Sequence, residues 1–276
     1  MSDRVPDVDR PRSRPSVGGA AEGPRGIRVS EREVRVSGHP IRYEVAGEGS
    51  EPIVLVHGLS GSTRWWSPNV PALAEHHRVY LVNLPGFGVM RRRRQRFVLT
   101  EAASWLLAWI EALGLEKAHL VGHSMGGYLS LKLANRRPDV VRKLVLVDPA
   151  GVPSGRTMLG HLGPLLLAAR YGKPNFLPVL ARDALYAGPF TLLRTARDLL
   201  AEDVRGDLRK IGMPTLLVWG ERDTLIPPSV GDLMRAEIPG SRLLVIEGAG
   251  HNPMFDRPEA FNVALLAFLA GESVGE

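Results

Sequence analysis

The stretch Leu120-Val121-Gly122-His123-Ser124-Met125-Gly126-Gly127 limits the folds open to this chain more than any other. An apolar run of this kind reads as a buried parallel strand, and it passes straight into a helix-like segment through the pattern G-x-S-x-G. So sharp a turn from strand to helix leaves no room for β-carbons beside the serine, which is why glycines flank it and Ser124 takes a strained conformation. Its hydroxyl is thereby presented, not packed away.

The remaining chain supplies the sheet such a turn requires. Residues Met1 to Gly26 lack hydrophobic periodicity and read as a flexible tail. Ile27 to Val36 and Ile41 to Val45 alternate apolar and polar residues around Ser37-Gly38-His39-Pro40, a hairpin with one wet face. Ile53 to Val56 is continuously apolar, as in a strand covered on both sides. Further strands follow at Arg78 to Val82, Lys143 to Val147, Thr215 to Trp219 and Arg242 to Ile246. Helices are expected at Trp65 to His76, from a Thr100 cap to Gly114, at Met125 to Arg136 and at Pro258 to Ala270. Ala102, Leu106, Trp109, Ile110 and Leu113 form the inner stripe of the second, so Trp109 belongs to the core. Repeated strand–helix–strand units imply a doubly wound sheet. Between Pro153 and Lys210 the rhythm breaks into Leu, Ala and Arg at helical spacing with no convincing strand, which reads as a helical insertion over the sheet's carboxyl edge.

Composition narrows the function classes. A chain of 276 residues suits one α/β domain with an inserted subdomain. It has no cysteine, which excludes disulfides, thiolate metal sites and a cysteine nucleophile. Its formal charge of +6 owes much to Arg91, Arg92, Arg93, Arg94 and Arg96, a run read as a solvated loop and not a nucleic-acid face. No apolar run is long enough to span a bilayer, and no secretory h-region is present, so a cytoplasmic monomer or homodimer is expected.

The chemistry lies where strands end. Ser124 follows one strand, Asp223 a later one, within Gly220-Glu221-Arg222-Asp223, and His251 the last, within Gly248-Ala249-Gly250-His251. Serine is too weak an acid to attack a carbonyl unaided, so His251 would take its proton and Asp223 would orient the imidazole. Backbone amides of Leu59, after His57-Gly58, and Met125 would receive the negative charge, each contributing about 3 kcal/mol. Asp148 is a rival acid, but with Pro149 after it the residue is read as closing a strand. His57 is assigned to anchoring the oxyanion loop, His123 to packing or bonding beneath the turn at the edge of the substrate site, and His76 and His77 to the surface. Trp65 and Trp66 are read as pocket-mouth or core residues, with Trp66 taken as a substrate contact. No metal and no cofactor is assigned.

Together His57-Gly58, Leu84-Pro85-Gly86-Phe87-Gly88, Gly122 to Gly127, Gly220 to Asp223 and Gly250-His251 resemble the α/β-hydrolase superfamily over roughly residues 27 to 272. The resemblance implies an eight-stranded, mostly parallel sheet of the α/β-hydrolase fold with a helical lid after the sixth strand. The tail would be 1–26, the core 27–152 and 211–276, and the lid 153–210. It implies Ser124, Asp223 and His251 as catalytic residues and Leu59 and Met125 as the oxyanion hole. Asn83 departs from the aspartate often found before Leu-Pro-Gly, and the arginine run is unusual. The expected substrate is a carboxylic ester of small to medium acyl chain. Carbon–carbon bond cleavage of the meta-cleavage type would need a lid arginine such as Arg156, Arg170, Arg182 or Arg194. Lactone cleavage and a non-turnover receptor are further alternatives.

Overall fold

A computed structural model of the chain describes residues 21, 22, 27–92, 97–155 and 157–275. Its strands are β1 (Ala21–Glu22), β2 (Arg28–Val36), β3 (His39–Ala46), β4 (Pro52–Val56), β5 (Arg78–Val82), β6 (Ala118–His123), β7 (Val141–Val147), β8 (Thr215–Gly220) and β9 (Arg242–Ile246). They form one sheet in the order β1-β2-β3-β5-β4-β6-β7-β8-β9. Strands β1 to β3 pair antiparallel, β3 also meets β5 antiparallel, and from β5 to β9 every pairing is parallel. The eight expected strands are β2 to β9. The ninth comes from Ala21 and Glu22, within the segment expected to be a flexible tail; they pair with Val29 and Arg28. The rest of that tail lies outside the described residues, as do Arg93, Arg94, Arg96 and Arg156.

The β2–β3 turn is two residues long, with Ser37 and Gly38 both at positive φ, 48° and 79°. Both central residues of such a turn are left-handed because only that twist matches the strands it joins. Beyond it the apolar runs divide residue by residue. Val54, Val56, Leu120, Leu144 and Leu146 enter one core, while Ile53, Leu55, Val121, Val145 and Val147 enter the other. Alternate side chains point to opposite faces, so a continuously apolar strand is what two covered faces require.

Helices α1 (Val70–Ala74), α2 (Leu99–Ala112), α3 (Met125–Arg136), α4 (Leu162–Tyr171), α5 (Leu177–Ala187), α6 (Pro189–Leu200), α7 (Arg205–Leu208), α8 (Pro228–Glu237), α9 (Pro253–Asp256) and α10 (Pro258–Ala270) complete the chain. Residues of α2, α3 and α8 fill the first core, and those of α1 and α10 the second. Two helix boundaries differ from expectation. The segment read as a helix from Trp65 to His76 is a 3-10 turn, Thr63–Trp66, followed by the short α1. Pro68 and Pro71 supply no N–H to a continuous ladder, which accounts for the break. Helix α2 starts at Leu99 with Val98 as its N-cap and no side-chain cap, so Thr100 lies inside it.

The strand order turns about β4, whose two neighbours are β5 and β6. Connections leave in opposite directions there, which opens a crevice at the carboxyl ends of β4 and β6. Trp109, on α2, is fully buried and edge-on to Tyr43 of β3 at 5.7 Å. Trp109→Ala should therefore lower stability by about 3–5 kcal/mol, measured by urea denaturation; a loss below about 1 kcal/mol would show that the site collapses without a cavity.

Candidate active site

Ser124 has φ 51° and ψ −115°, a conformation that L residues rarely adopt. Neighbouring backbone holds it there. Its N–H donates to Val147 O at 2.9 Å, and its carbonyl accepts from Tyr128 and Ala150 at 3.0 and 3.1 Å. A β-carbon on Gly122 would collide with Gly126 O and the Ser130 hydroxyl, and one on Gly126 with Val56 O. These two glycines let α3 pack directly on the ends of β4 and β6.

The loop after β4 lies against the serine. A β-carbon on Gly58 would fall 3.2 Å from Ser124 Cβ and 2.8 Å from His123 Nδ1, so only glycine fits without a shift. His57 anchors this loop, donating from Nδ1 to Gly58 O at 2.8 Å while Nε2 accepts from Leu84 N at 3.1 Å. That pairing fixes the neutral tautomer, and burial drives its pKa down to about 4.

Asp223 and His251 meet directly. His251 Nδ1 lies 2.6 Å from Asp223 Oδ2, and Asp223 Oδ1 accepts from the amides of Leu225 and Ile226 at 2.8 and 3.0 Å. Asp223 thus has three hydrogen-bond partners. Ser124 and His251 share no hydrogen bond in this structure; His123 links their loops instead. It is fully buried, its ring lies 4.9 Å from that of His251, and its Nε2 lies 2.7 Å from His251 O. Facing a carbonyl, Nε2 must carry the proton, so His123 supports the His251 loop from below and does not open onto a substrate space.

Trp66 is likewise no pocket residue. It is fully buried and packs beside Phe261 in the second core. Trp65 is the tryptophan beside His123, with ring centroids 5.7 Å apart. Its Nε1 donates to Asp183 at 3.1 Å, and the Ser62 hydroxyl donates to the same carboxylate oxygen at 2.6 Å. Asp183 was not singled out in the sequence. It is a buried acid on α5 that ties this helix to the loop after β4, and burial raises its pKa against the pull of its two donors.

Asp148 is more than the end of a strand. Wholly buried at φ 40°, it accepts from Gly220 N at 3.0 Å, while its other carboxylate oxygen has no partner. Burial first, and then the charge of Asp223, push it well above the usual carboxylate range. Of the two neighbouring carboxyls, Asp223 has the fuller set of hydrogen-bond partners.

Two groups of possible metal ligands occur among the described residues. Ligand atoms of His123, Asp148 and His251 lie within 4.8 Å of one another, but this group belongs to the network just described. The other is Glu51, His77 and His119, in which His119 Nε2 is 3.1 Å from Glu51. His77 is buried there, not on the surface; His76 is exposed as expected. Among the proposed lid arginines, Arg170 is exposed, Arg182 stacks over Tyr186 at 5.1 Å, and Arg194 pairs with Asp198 at 3.6 Å with its Nη1 buried and unbonded.

The His57 anchor makes stability depend on pH. Its folded pKa of about 4 lies below the ordinary value of 6.5, so the stability it contributes is complete above about 6.5 and is lost as the pH falls towards 4. Between pH 7 and 4 the wild type should lose about 3 kcal/mol more than His57→Gln. Urea denaturation at both pH values tests this, and parallel losses would show that His57 is not held neutral.

The model of the alpha/beta hydrolase family matches residues 53–264. The chain is 35% identical to the dihydrolipoyllysine-residue acetyltransferase component of the acetoin cleaving system of Pseudomonas putida, across 91% of this chain and 72% of that protein. It is 30% identical to a putative carbamate hydrolase, RutD, of Azorhizobium caulinodans, across 82% and 93%. Among solved structures it resembles Est816, an N-acyl homoserine lactone degrading enzyme, at a TM-score of 0.77 and 25% identity, covering 86% of this chain and all (100%) of that one. Sheet order, strained serine turn and family match agree: the chain belongs to the alpha/beta hydrolase family.

Proposed function

We propose that this chain is a serine hydrolase that cleaves carboxylic esters of small to medium acyl chain through an acyl-serine intermediate. The observation that carries the reading is Gly58 packed against Ser124 Cβ on a strained turn, next to a loop whose His251 is bonded to Asp223 at 2.6 Å. In this reading His251 removes the Ser124 proton as the oxygen attacks the ester carbonyl. The amides of Leu59 and Met125 receive the oxyanion. His251 then passes the proton to the departing alcohol, and water activated by the same imidazole releases the acid. In this reading the Ser124–His251 hydrogen bond forms when substrate seats, as catalytic hydrogen bonds often tighten only in the complex.

Asp223 is the acid of this triad, and Asp148 beside it carries a proton, which places a single negative charge against the imidazole. The segment from 153 to 210 acts as a lid over the site, pinned by Asp183. The similar Est816 degrades N-acyl homoserine lactones, and a lactone, as a cyclic ester, is open to the same chemistry. A carbon–carbon hydrolase reading draws on the buried, unbonded Nη1 of Arg194, a possible seat for a substrate carboxylate.

Three substitutions separate these roles, with turnover of a p-nitrophenyl ester series as the measurement. Ser124→Ala should abolish turnover, and activity retained by a clean preparation would end the assignment. Asp223→Asn should slow kcat on the order of 10⁴-fold. Asp148→Asn, which mimics a protonated carboxyl, should stay within about tenfold of wild type; the reverse ranking would move the acid to Asp148. One meta-cleavage product run beside the esters tests the second reading, which requires faster turnover of that compound and its loss in Arg194→Ala.

A further inference from the structure

Among the described residues, twelve of the sixteen exposed large hydrophobic side chains lie between Met158 and Leu193. Elsewhere exposed apolar residues are scattered, which is normal; a concentration in one segment marks an interaction surface. The orientation of α4 makes the point sharply. Pro164 and Ala168 turn partly inward, whereas Leu162, Leu165 and Leu166, spaced three and four apart on one face, turn outward. Leu159 continues that stripe at 78% exposure, Leu166 reaches 74% and Phe190 on α6 reaches 89%. A helix folded for this chain's own core would point the leucines the other way.

The charge around the surface has one sign. Arg170, Lys173, Arg182, Arg194 and Arg197 stand between residues 162 and 200, and of the two carboxylates in that range Asp183 is buried while Asp198 is paired with Arg194. Exposed leucines bordered by cations are complementary to a surface that is apolar inside and negative at its rim.

The position relative to the site is also defined. Pro164 O accepts from the hydroxyl of Thr224, next to Asp223, at 2.7 Å. At the other end, Lys173 N donates to Asp256, which also accepts from Gly250 N beside His251. Helix α4 thus runs from the Asp223 loop to the His251 loop, with its leucines facing away from both.

We propose that the outer face of α4 to α6 docks peripherally on an anionic phospholipid bilayer, so that the site beneath takes acyl esters dissolved in or lying on that surface. The second half of this statement rests on the ester-hydrolase reading; the docking itself does not. No helix of the described residues is long and apolar enough to cross a membrane, so the contact is one of insertion to leucine depth.

The test uses the full chain carrying Ser124→Ala, so that no lipid is consumed, sedimented with phosphatidylcholine vesicles with and without phosphatidylglycerol. Binding should be at least tenfold stronger on the anionic vesicles and should fall as salt rises. Combined Leu162→Ser, Leu166→Ser and Phe190→Ser should reduce binding at least tenfold. Placed in the Ser124 protein, the same three changes should leave turnover of water-soluble p-nitrophenyl acetate unchanged, which shows that the variant is folded. Arg170→Ser with Arg197→Ser should abolish the preference for anionic vesicles. Absence of vesicle binding, or equal binding by the triple variant, would overturn the proposal. So would a dimer in light scattering that the triple variant converts to monomer without vesicle binding, because the face would then belong to a second copy. Docking without ester turnover by the Ser124 protein would overturn the substrate half and the hydrolase reading while leaving the docking intact.

Discussion

Everything at the carboxyl edge of this sheet depends on how closely α3 approaches β4 and β6. Missing β-carbons at Gly122 and Gly126 bring helix backbone against strand backbone, and Ser124 must then take φ 51° to connect them. Such strain costs on the order of 1–3 kcal/mol and persists only where surroundings overdetermine it. Here the surroundings are backbone: Val147 O, Tyr128 N and Ala150 N each hold the serine's own peptide groups. The same approach leaves room above the turn for the loop carrying Gly58. The conformation of Ser124 and the position of the loop carrying Gly58 therefore follow from one packing constraint.

Charge placement follows from burial in the same way. Two carboxyls, Asp148 and Asp223, stand at the ends of strands near one imidazole, and the structure gives them unequal donors. Asp223 has two amides and the imidazole, while Asp148 has a single amide and one bare oxygen. Burial first, and then the nearby Asp223 charge, push the pKa of the poorer site, Asp148, upward. The sequence could name both acids but could not rank them by burial, because each simply follows a strand.

Most of the sheet was legible because a strand covered on two faces has to be apolar at every position, and few other segments are. The serine turn was legible because its glycines answer to local geometry. What escaped was long-range. Asp183 meets Ser62 and Trp65 across separations of 121 and 118 residues, and His123 meets the carbonyl of His251 across 128. Nothing in the sequence around Asp183 announces such partners. In the sequence, aromatic residues after His57-Gly58 can face either way; the 3-10 turn Thr63–Trp66 sends Trp66 into the core and leaves Trp65 beside His123. Helix limits erred where proline and capping compete, as at Pro68 and Val98.

The leucine-rich segment shows a different limit. Helical periodicity reveals that a face is apolar and says nothing about what that face meets, so outward leucines and core leucines look alike in sequence. Orientation is decided by polar contacts at the ends of α4, where Thr224 and Asp256 hold the chain, and by the small residues Pro164 and Ala168, which allow the helix to lie close to the loops below. Once those contacts are made, the leucines have only the outside left to face. A surface of that kind is stable in water only because the rest of the fold outweighs its hydration cost, which a partner would relieve. A partner that satisfied both its apolar stripe and its positive border would lie on the outer side of the helix whose two ends are held by Thr224, next to Asp223, and by Asp256, bonded beside His251.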